Sequence, residues 1–233
     1  MALRKAAGNM FDFITHIWNP VKGRCGYACS YCYVTRMFEK FKYKVPDKPY
    51  LNEKEFVNLG KDKFIFICDS LDLFHPDIKP EYISRIMEHM KLYPENKYLF
   101  LTKNPRGYNN FLFSPDFDNV FLGATVESDL FHTKGTPAPS LRLGEIKRIK
   151  YLYNNVKTLI SIEPIMDFNS DSFFSYLKLS NADFIIIGAD SGNNNLNEPI
   201  KEKLCKLISD LELYTKSEII LKSNLKRLLN GNK

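Results

Sequence analysis

The chain has 233 residues, 44% of them hydrophobic and 26% charged, with five cysteines and a net charge of +6. That length suits one domain of the α/β-barrel kind, or at most two small ones, and a core this size needs no disulfide framework. The longest apolar runs, Phe64–Cys68 and Phe184–Ala189, are too short to span a bilayer. The N-terminal MALRKAAGNMFDF has no apolar signal-peptide core, so a cytoplasmic, reducing location is expected. There, clustered cysteines point to metal or redox chemistry rather than to disulfides. Residues 1–60 hold ten Lys/Arg against five Asp/Glu, a net of +5. That suits either a polyanionic partner or a plain solvated face.

In chain order, strands are predicted at Asp12–Trp18, Phe64–Asp69, Tyr98–Thr102, Val120–Thr125, Thr158–Ile162, Phe184–Ala189 and Glu218–Leu221. Several are continuously apolar, as parallel strands buried on both faces should be. Helices are predicted between them. Lys79–Leu92 carries Ile83, Ile86, Met87 and Met90 on one face. Ser140–Tyr153 starts at a candidate Ser cap and carries Leu143, Ile146, Ile149 and Leu152. Ser170–Leu179 and Glu198–Leu213 complete the set. The alternation predicts an α/β fold with a parallel sheet, read as an incomplete (β/α) barrel of six to seven strands in a single domain, core about 11–225. A flat doubly wound sheet is the alternative, and periodicity does not separate the two.

Either fold gathers function at the carboxyl ends of its strands. Polar residues follow each apolar run abruptly: Asp69-Ser70-Leu71-Asp72, Thr102-Lys103, Thr125-Val126-Glu127, Glu163-Pro164, Asp190-Ser191-Gly192 and Lys222. After the first strand comes Cys25-Gly-Tyr-Ala-Cys29-Ser-Tyr-Cys32, spaced C-x-x-x-C-x-x-C. Thiolates are the ligands of iron–sulfur clusters. Three of them on a four-iron cluster leave one iron open for chemistry, which the amino and carboxylate groups of S-adenosylmethionine (SAM) can chelate. Structural zinc, with His16 or His75 as a fourth ligand, and a non-catalytic nucleic-acid-binding module built on it, form the competing reading.

The cysteine motif, with Tyr31 before its last cysteine, resembles the radical SAM superfamily. Trp18-Asn19-Pro20 with Gly23, Asp72-Leu-Phe-His-Pro76, Leu101-Thr-Lys-Asn-Pro105, Val126-Glu127, Ile162-Glu-Pro164 and the run ending at Gly192 resemble a phage- and bacteria-associated family within it. The chain is distantly similar to spore photoproduct lyase, which repairs a thymine dimer. The resemblance implies a partial barrel, a 4Fe–4S cluster on Cys25, Cys29 and Cys32, SAM as cofactor, and a reductase or flavodoxin-type electron donor. It implies cofactor contacts at the rim: Tyr31 near adenine, and Ser70, Lys103 and Thr125 near the methionine or ribose part. Asp72 and Asp190 stand at further matching rim positions. Glu127 and Glu163 would meet ribose hydroxyls or substrate, and with Lys103 they are the candidate catalytic groups. Cys68-Asp-Ser-Leu-Asp72 departs from the Gly-Gly-Glu-type segment that many members place after the second strand, so the cofactor's amino group is expected at Ser70 or a backbone carbonyl.

Other residues carry two readings. Arg36-Met-Phe-Glu-Lys-Phe-Lys-Tyr-Lys44 interleaves basic and aromatic residues. Arg36, Lys40, Lys42 and Lys44 suit a nucleic acid backbone, or the stretch is an amphipathic helix with snorkelling lysines. Loop 128–139 is a lid or a long connection. His75 is a helix-start residue or a substrate contact. Tyr33 relays hydrogen or merely packs. Cys68 and Cys205 are expected to be buried small hydrophobes. A nucleic acid base or nucleotide is the leading substrate class. A peptide or small metabolite is the runner-up.

Overall fold

The computed structural model describes residues 3–111, 118–153 and 155–231. The strands are β1 (Leu3–Lys5), β2 (His16–Trp18), β3 (Val21–Lys22), β4 (Tyr50–Leu51), β5 (Phe64–Ile67), β6 (Lys97–Thr102), β7 (Val120–Thr125), β8 (Lys157–Ile162), β9 (Phe184–Ile187) and β10 (Glu218–Leu221). The helices are α1 (Tyr33–Phe41), α2 (Pro80–Lys91), α3 (Pro139–Leu152), α4 (Ser170–Ser180), α5 (Lys201–Tyr214) and α6 (Lys226–Leu229).

The main sheet runs β1-β2-β5-β6-β7-β8-β9-β10. From β2 to β10 every neighbour is parallel, and β1 pairs antiparallel to β2 with Leu3 opposite Trp18. Strand order follows the sequence without reversal, so there is no switch point of the doubly wound kind. One strand face, with Ile17, Phe66, Leu99, Leu159 and Ile186, forms its own apolar cluster. The opposite face, including Ile65, Ile67, Ile160, Ile162, Ile185 and Ile187, joins two clusters shared with α2 to α5. Helices therefore cover one face, and the other curls around a lumen. The expected incomplete parallel (β/α) barrel is the observed fold. It also explains why the strands read as unbroken apolar runs, since neither face meets water.

Most predicted boundaries move by one to four residues, three of them for a visible reason. The first strand starts at His16, not Asp12, because Phe11 and Ile14 turn inward. Phe11 is buried, and its ring lies 5.6 Å from Phe13 and 6.3 Å from Phe66. The second predicted helix starts at Pro139 with no side-chain cap from Ser140, because proline's fixed φ suits the first helical turn. The fourth starts at Lys201 rather than Glu198, since the Glu198 carboxylate accepts from the Asp190 N–H and the Arg227 guanidinium. The antiparallel β1 and the ribbon of β3 and β4 have no periodic signal at two or three residues each.

The segment between β1 and β2 lies along the gap between the two edge strands. Its Asn9 carbonyl accepts from Lys222 beyond β10, and Asn9 Nδ2 donates to Glu163 beyond β8 at 2.8 Å. No described helix is long and apolar enough to cross a membrane.

Candidate active site

The cysteine loop follows β2 and β3 and ends where α1 begins. Cys32, in extended conformation, is the residue before the first helical turn, and its N–H donates to the Cys29 carbonyl at 3.1 Å. The Asp72 N–H donates to Cys25 Sγ at 3.4 Å. All three thiols are free and half-buried. Burial pushes Cys25 up to about 11. Burial also raises Cys29, with the Lys103 charge pulling the other way.

Gly26 touches His75 so closely that a Cβ there would stand 2.1 Å from the ring. That ring is held on its other sides by Tyr27, 4.4 Å between centroids, and by the Asp77 N–H, 3.1 Å to Nδ1. His75 therefore braces the cysteine loop. A Gly26→Ala protein should bind less iron on reconstitution, and His75→Ala in the same chain should restore much of it. Iron content unchanged by Gly26→Ala would show that the loop tolerates displacement.

Behind the loop lies a buried polar knot. Glu127, only 2% exposed, accepts from Lys103 and Tyr31 on one oxygen and from Arg142 at 2.9 Å on the other. Lys103 also donates to the Tyr31 hydroxyl and sits 5.0 Å from the Tyr31 ring centroid. Burial alone would raise Glu127, but the two cations outweigh it and bring the carboxyl down to about 2. Arg142 reaches in from α3 and donates to the carbonyls of Thr125 and Pro137 at 2.9 and 2.8 Å and to the Thr136 hydroxyl at 2.6 Å. Arg142 thus ties the far end of loop 128–139 to α3. Ser128 and Asp129 tie its start to Asp167 and to Asn169.

The lumen opens at the strand heads into a cavity of about 480 Å³. Tyr31, Lys103, Thr125, Glu163 and Asp190 reach its wall as the rim pattern predicts. Three expected cofactor residues do not. Ser70 sits in the turn beside the wall. Asp72 gives its carboxylate to protein donors: the Thr102 hydroxyl at 2.6 Å, the Lys103 N–H at 2.7 Å and the Phe74 N–H at 3.0 Å. Glu127 lies behind Tyr31 and Lys103 and bonds both.

Asp190 spends its carboxylate on the Gly192 and Asn194 N–H groups and shapes its own turn. Glu163 pairs with Lys222 at 2.8 Å. Of the four cations Arg36, Lys40, Lys42 and Lys44, Arg36 turns into the cavity wall and donates to the Gly192 carbonyl. The three lysines are exposed. His16 sits at the foot of β2, bonded to Thr15 at 2.9 Å, at the opposite end of the strand from the cysteines. Cys68 is buried as expected, but Cys205 is exposed.

Sequence reasoning missed Asp69 as a hub. It accepts from Arg4 at 2.6 Å, Asn19 at 2.7 Å and Tyr33 at 3.0 Å. Asp69 also faces the cavity, with Asn9, Phe11, Ser161 and Lys222. A signal for Asp69, Ser161 and Lys222 was present, since each lies on or just past a strand end. None existed for Asn9, which arrives from the far end of the chain. A larger hollow of about 730 Å³ lies between the 190–202 segment and Arg227, away from the cysteines.

Among the described residues, no three His, Cys, Asp or Glu side chains gather at the distance that holds a single ion. A cubane cluster holds its thiolates farther apart, around four irons. The donor set here is three half-buried thiols on one short loop, one with an N–H aimed at its sulfur, and such hydrogen bonds tune iron–sulfur centres. The residues present fit the cluster.

Residues 9–211 match the model of a family described as protein of unknown function, DUF5131. The chain belongs to the DUF5131 family. No curated protein matches this DUF5131 chain in sequence. Its fold matches solved structures of spore photoproduct lyase. One, with AdoMet and a dinucleoside spore photoproduct bound, has TM-score 0.59 and 13% identity over 91% of this chain and 64% of that one. Another, a tyrosine-to-phenylalanine variant of the lyase, has TM-score 0.66 and 10% identity over 92% of this chain and 78% of that one. The DUF5131 chain thus spans about two thirds of the length of the first. At such identities the likeness is one of fold.

Proposed function

We propose that this DUF5131 protein is a radical SAM enzyme, with the cluster on Cys25, Cys29 and Cys32 and SAM in the cavity beside it. The reading rests on one observation: three free thiols on the loop after the first parallel strand of an open barrel, next to a cavity walled by Tyr31, Lys103 and Thr125. The fold likeness to a lyase that binds AdoMet supports it. When bound, the reduced cluster supplies the electron that splits SAM into methionine and a 5′-deoxyadenosyl radical, which takes hydrogen from a substrate.

The chain's own groups bind and orient. Lys103, steadied by Glu127 and Tyr31, faces the cavity as the cation for the SAM carboxylate. Thr125 and Ser161 offer hydroxyls, and the Tyr31 ring offers a face for adenine. Asp69, rather than Ser70, is the side chain of its turn in the cavity wall, where its pairing with Arg4, Asn19 and Tyr33 shapes the wall beside the SAM amino group. Glu163 and Lys222 present a donor–acceptor pair to ribose or substrate. A flavodoxin-type donor or a reductase delivers the electron. The substrate class is a nucleic acid base or nucleotide. The loop cysteines stay reduced as ligands, in keeping with a cytoplasmic site of action.

Anaerobic reconstitution tests this. The expected product is a brown protein with about four irons per chain and absorbance near ~400 nm. With dithionite and SAM it forms 5′-deoxyadenosine. A colourless protein that retains one zinc after anaerobic purification would refute the reading.

A further inference from the structure

Helix α1 starts at the cysteine loop and leads outward. Tyr33, Arg36 and Lys40 are spaced i, i+3, i+7 and share one face. Tyr33 and Arg36 line the cavity, whereas Lys40 is exposed. The stripe therefore runs from the cavity wall to the surface. At its outer end, Phe41 and Tyr43 are 56% and 55% exposed, too much for core packing. Their ring centroids are 5.7 Å apart at 32°. Lys40 stands 5.6 Å from the Phe41 ring centroid, and Lys42 and Lys44 alternate with the two aromatics. At the inner end, the Arg36 Nε is buried and has no hydrogen-bond partner among the described residues. Its guanidinium is fixed by the Gly192 carbonyl, at a glycine whose Cβ would stand 2.1 Å from Nη2. Arg36 lines the cavity with one hydrogen bond to protein among the described residues, so its remaining guanidinium N–H groups suit an anionic acceptor.

We propose that α1 and the residues just after it form a track for single-stranded nucleic acid: bases stack on Phe41 and Tyr43, phosphates follow Lys40, Lys42 and Lys44, and one phosphate reaches Arg36 at the cavity wall. Alternating aromatics and cations are the physical requirement for binding single strands without sequence preference, because every base has a stacking face. An acidic protein such as a flavodoxin would use the lysines but gains nothing from two exposed rings. A single strand, unlike a duplex, can bend its nucleotide from the surface into a cavity of about 480 Å³. The track deepens the enzyme reading by naming how its substrate arrives. It does not depend on the cluster being present.

The test is fluorescence anisotropy with a labelled mixed-sequence DNA 12-mer, titrated with full-length protein both metal-free and reconstituted. Wild type should bind the single strand more tightly than the matching duplex. Phe41→Ala/Tyr43→Ala should weaken binding by at least the roughly 5- to 150-fold that the loss of a single stacked base costs. Lys40→Ala/Lys42→Ala/Lys44→Ala should lower the slope of log affinity against log salt by about 2. Arg36→Gln should weaken binding about tenfold, the loss of one charged hydrogen bond. Circular dichroism checks that each variant folds. The proposal is overturned by wild-type affinity in the aromatic double variant, by preference for duplex, or by a flavodoxin binding this surface when the 12-mer does not. Because binding is read on metal-free protein too, absence of SAM cleavage would sink the enzyme reading alone.

Discussion

A Cys29→Ala protein should purify colourless and form no 5′-deoxyadenosine above background, while Cys205→Ser keeps both colour and product. Cys29 occupies the middle of the loop. Burial raises its thiol, and the Lys103 charge works against that rise. Cys25 and Cys32 are tied to separate partners, the Asp72 N–H and the start of α1, and Cys29 supplies the third thiolate between them. A thiolate bound to iron no longer pays for ionisation in a buried site, so binding must displace protons from thiols that burial keeps protonated. Two thiolates leave two irons without protein ligands, and such a cluster is lost to solvent and chelators. Cys205 is exposed on α5 and far along the chain, so its loss touches none of this. Iron and sulfide analysis, visible absorbance and product chromatography read the outcome. Full iron content in Cys29→Ala would show that the loop does not carry the cluster.

Glu127→Ala should destabilise the fold by about 3–5 kcal/mol, the cost of leaving buried cations without their counter-charge. Lys103 and Arg142 both bond this carboxylate, with side chains 9% and 1% exposed. Arg142 cannot reach water without tearing open the junction of β7 and α3, and Lys103 would face the cavity without its counter-charge. Lys103→Met in the same chain should recover part of the loss, since it removes one of the two stranded charges. Urea unfolding of the cluster-free protein measures both.

The same knot sets an acid limit. The Glu127 carboxyl in the folded chain lies below its usual 4.5, at about 2, so its contribution is complete above pH 4.5. It drains away as the pH falls toward 2, where the folded form also takes up the proton. Glu127→Gln should flatten that part of the pH–stability curve. An acid transition unchanged by the substitution would assign it to other carboxylates.

The cysteine spacing, the seven parallel strands and the rim of polar residues were all legible in the sequence. Each is a local pattern, and a window of ten residues contains the whole of it. Apolar runs such as Phe184–Ile187 announce strands because both faces of a helix-wrapped barrel are dry. The charge of the first sixty residues was also visible, though not which cations turn inward.

Tertiary closure decided what the rim residues touch. The Glu127 carboxylate meets Arg142, which arrives from the following helix and takes one of its oxygens. The Asp72 carboxylate meets Thr102 and the Lys103 N–H, presented by the next strand. Arg36 joins Gly192 across 156 residues, and Asn9 joins Glu163 across 154. No periodicity encodes such pairs, because they exist only once the sheet has curled and its two edges face each other. The sequence by itself determined the parallel strands, the helices between them and the clustering of three cysteines on one loop, since these depend on residue type and short spacing. The structure alone decided which polar groups are spent on the protein and which remain for a ligand, since that depends on how the barrel closes.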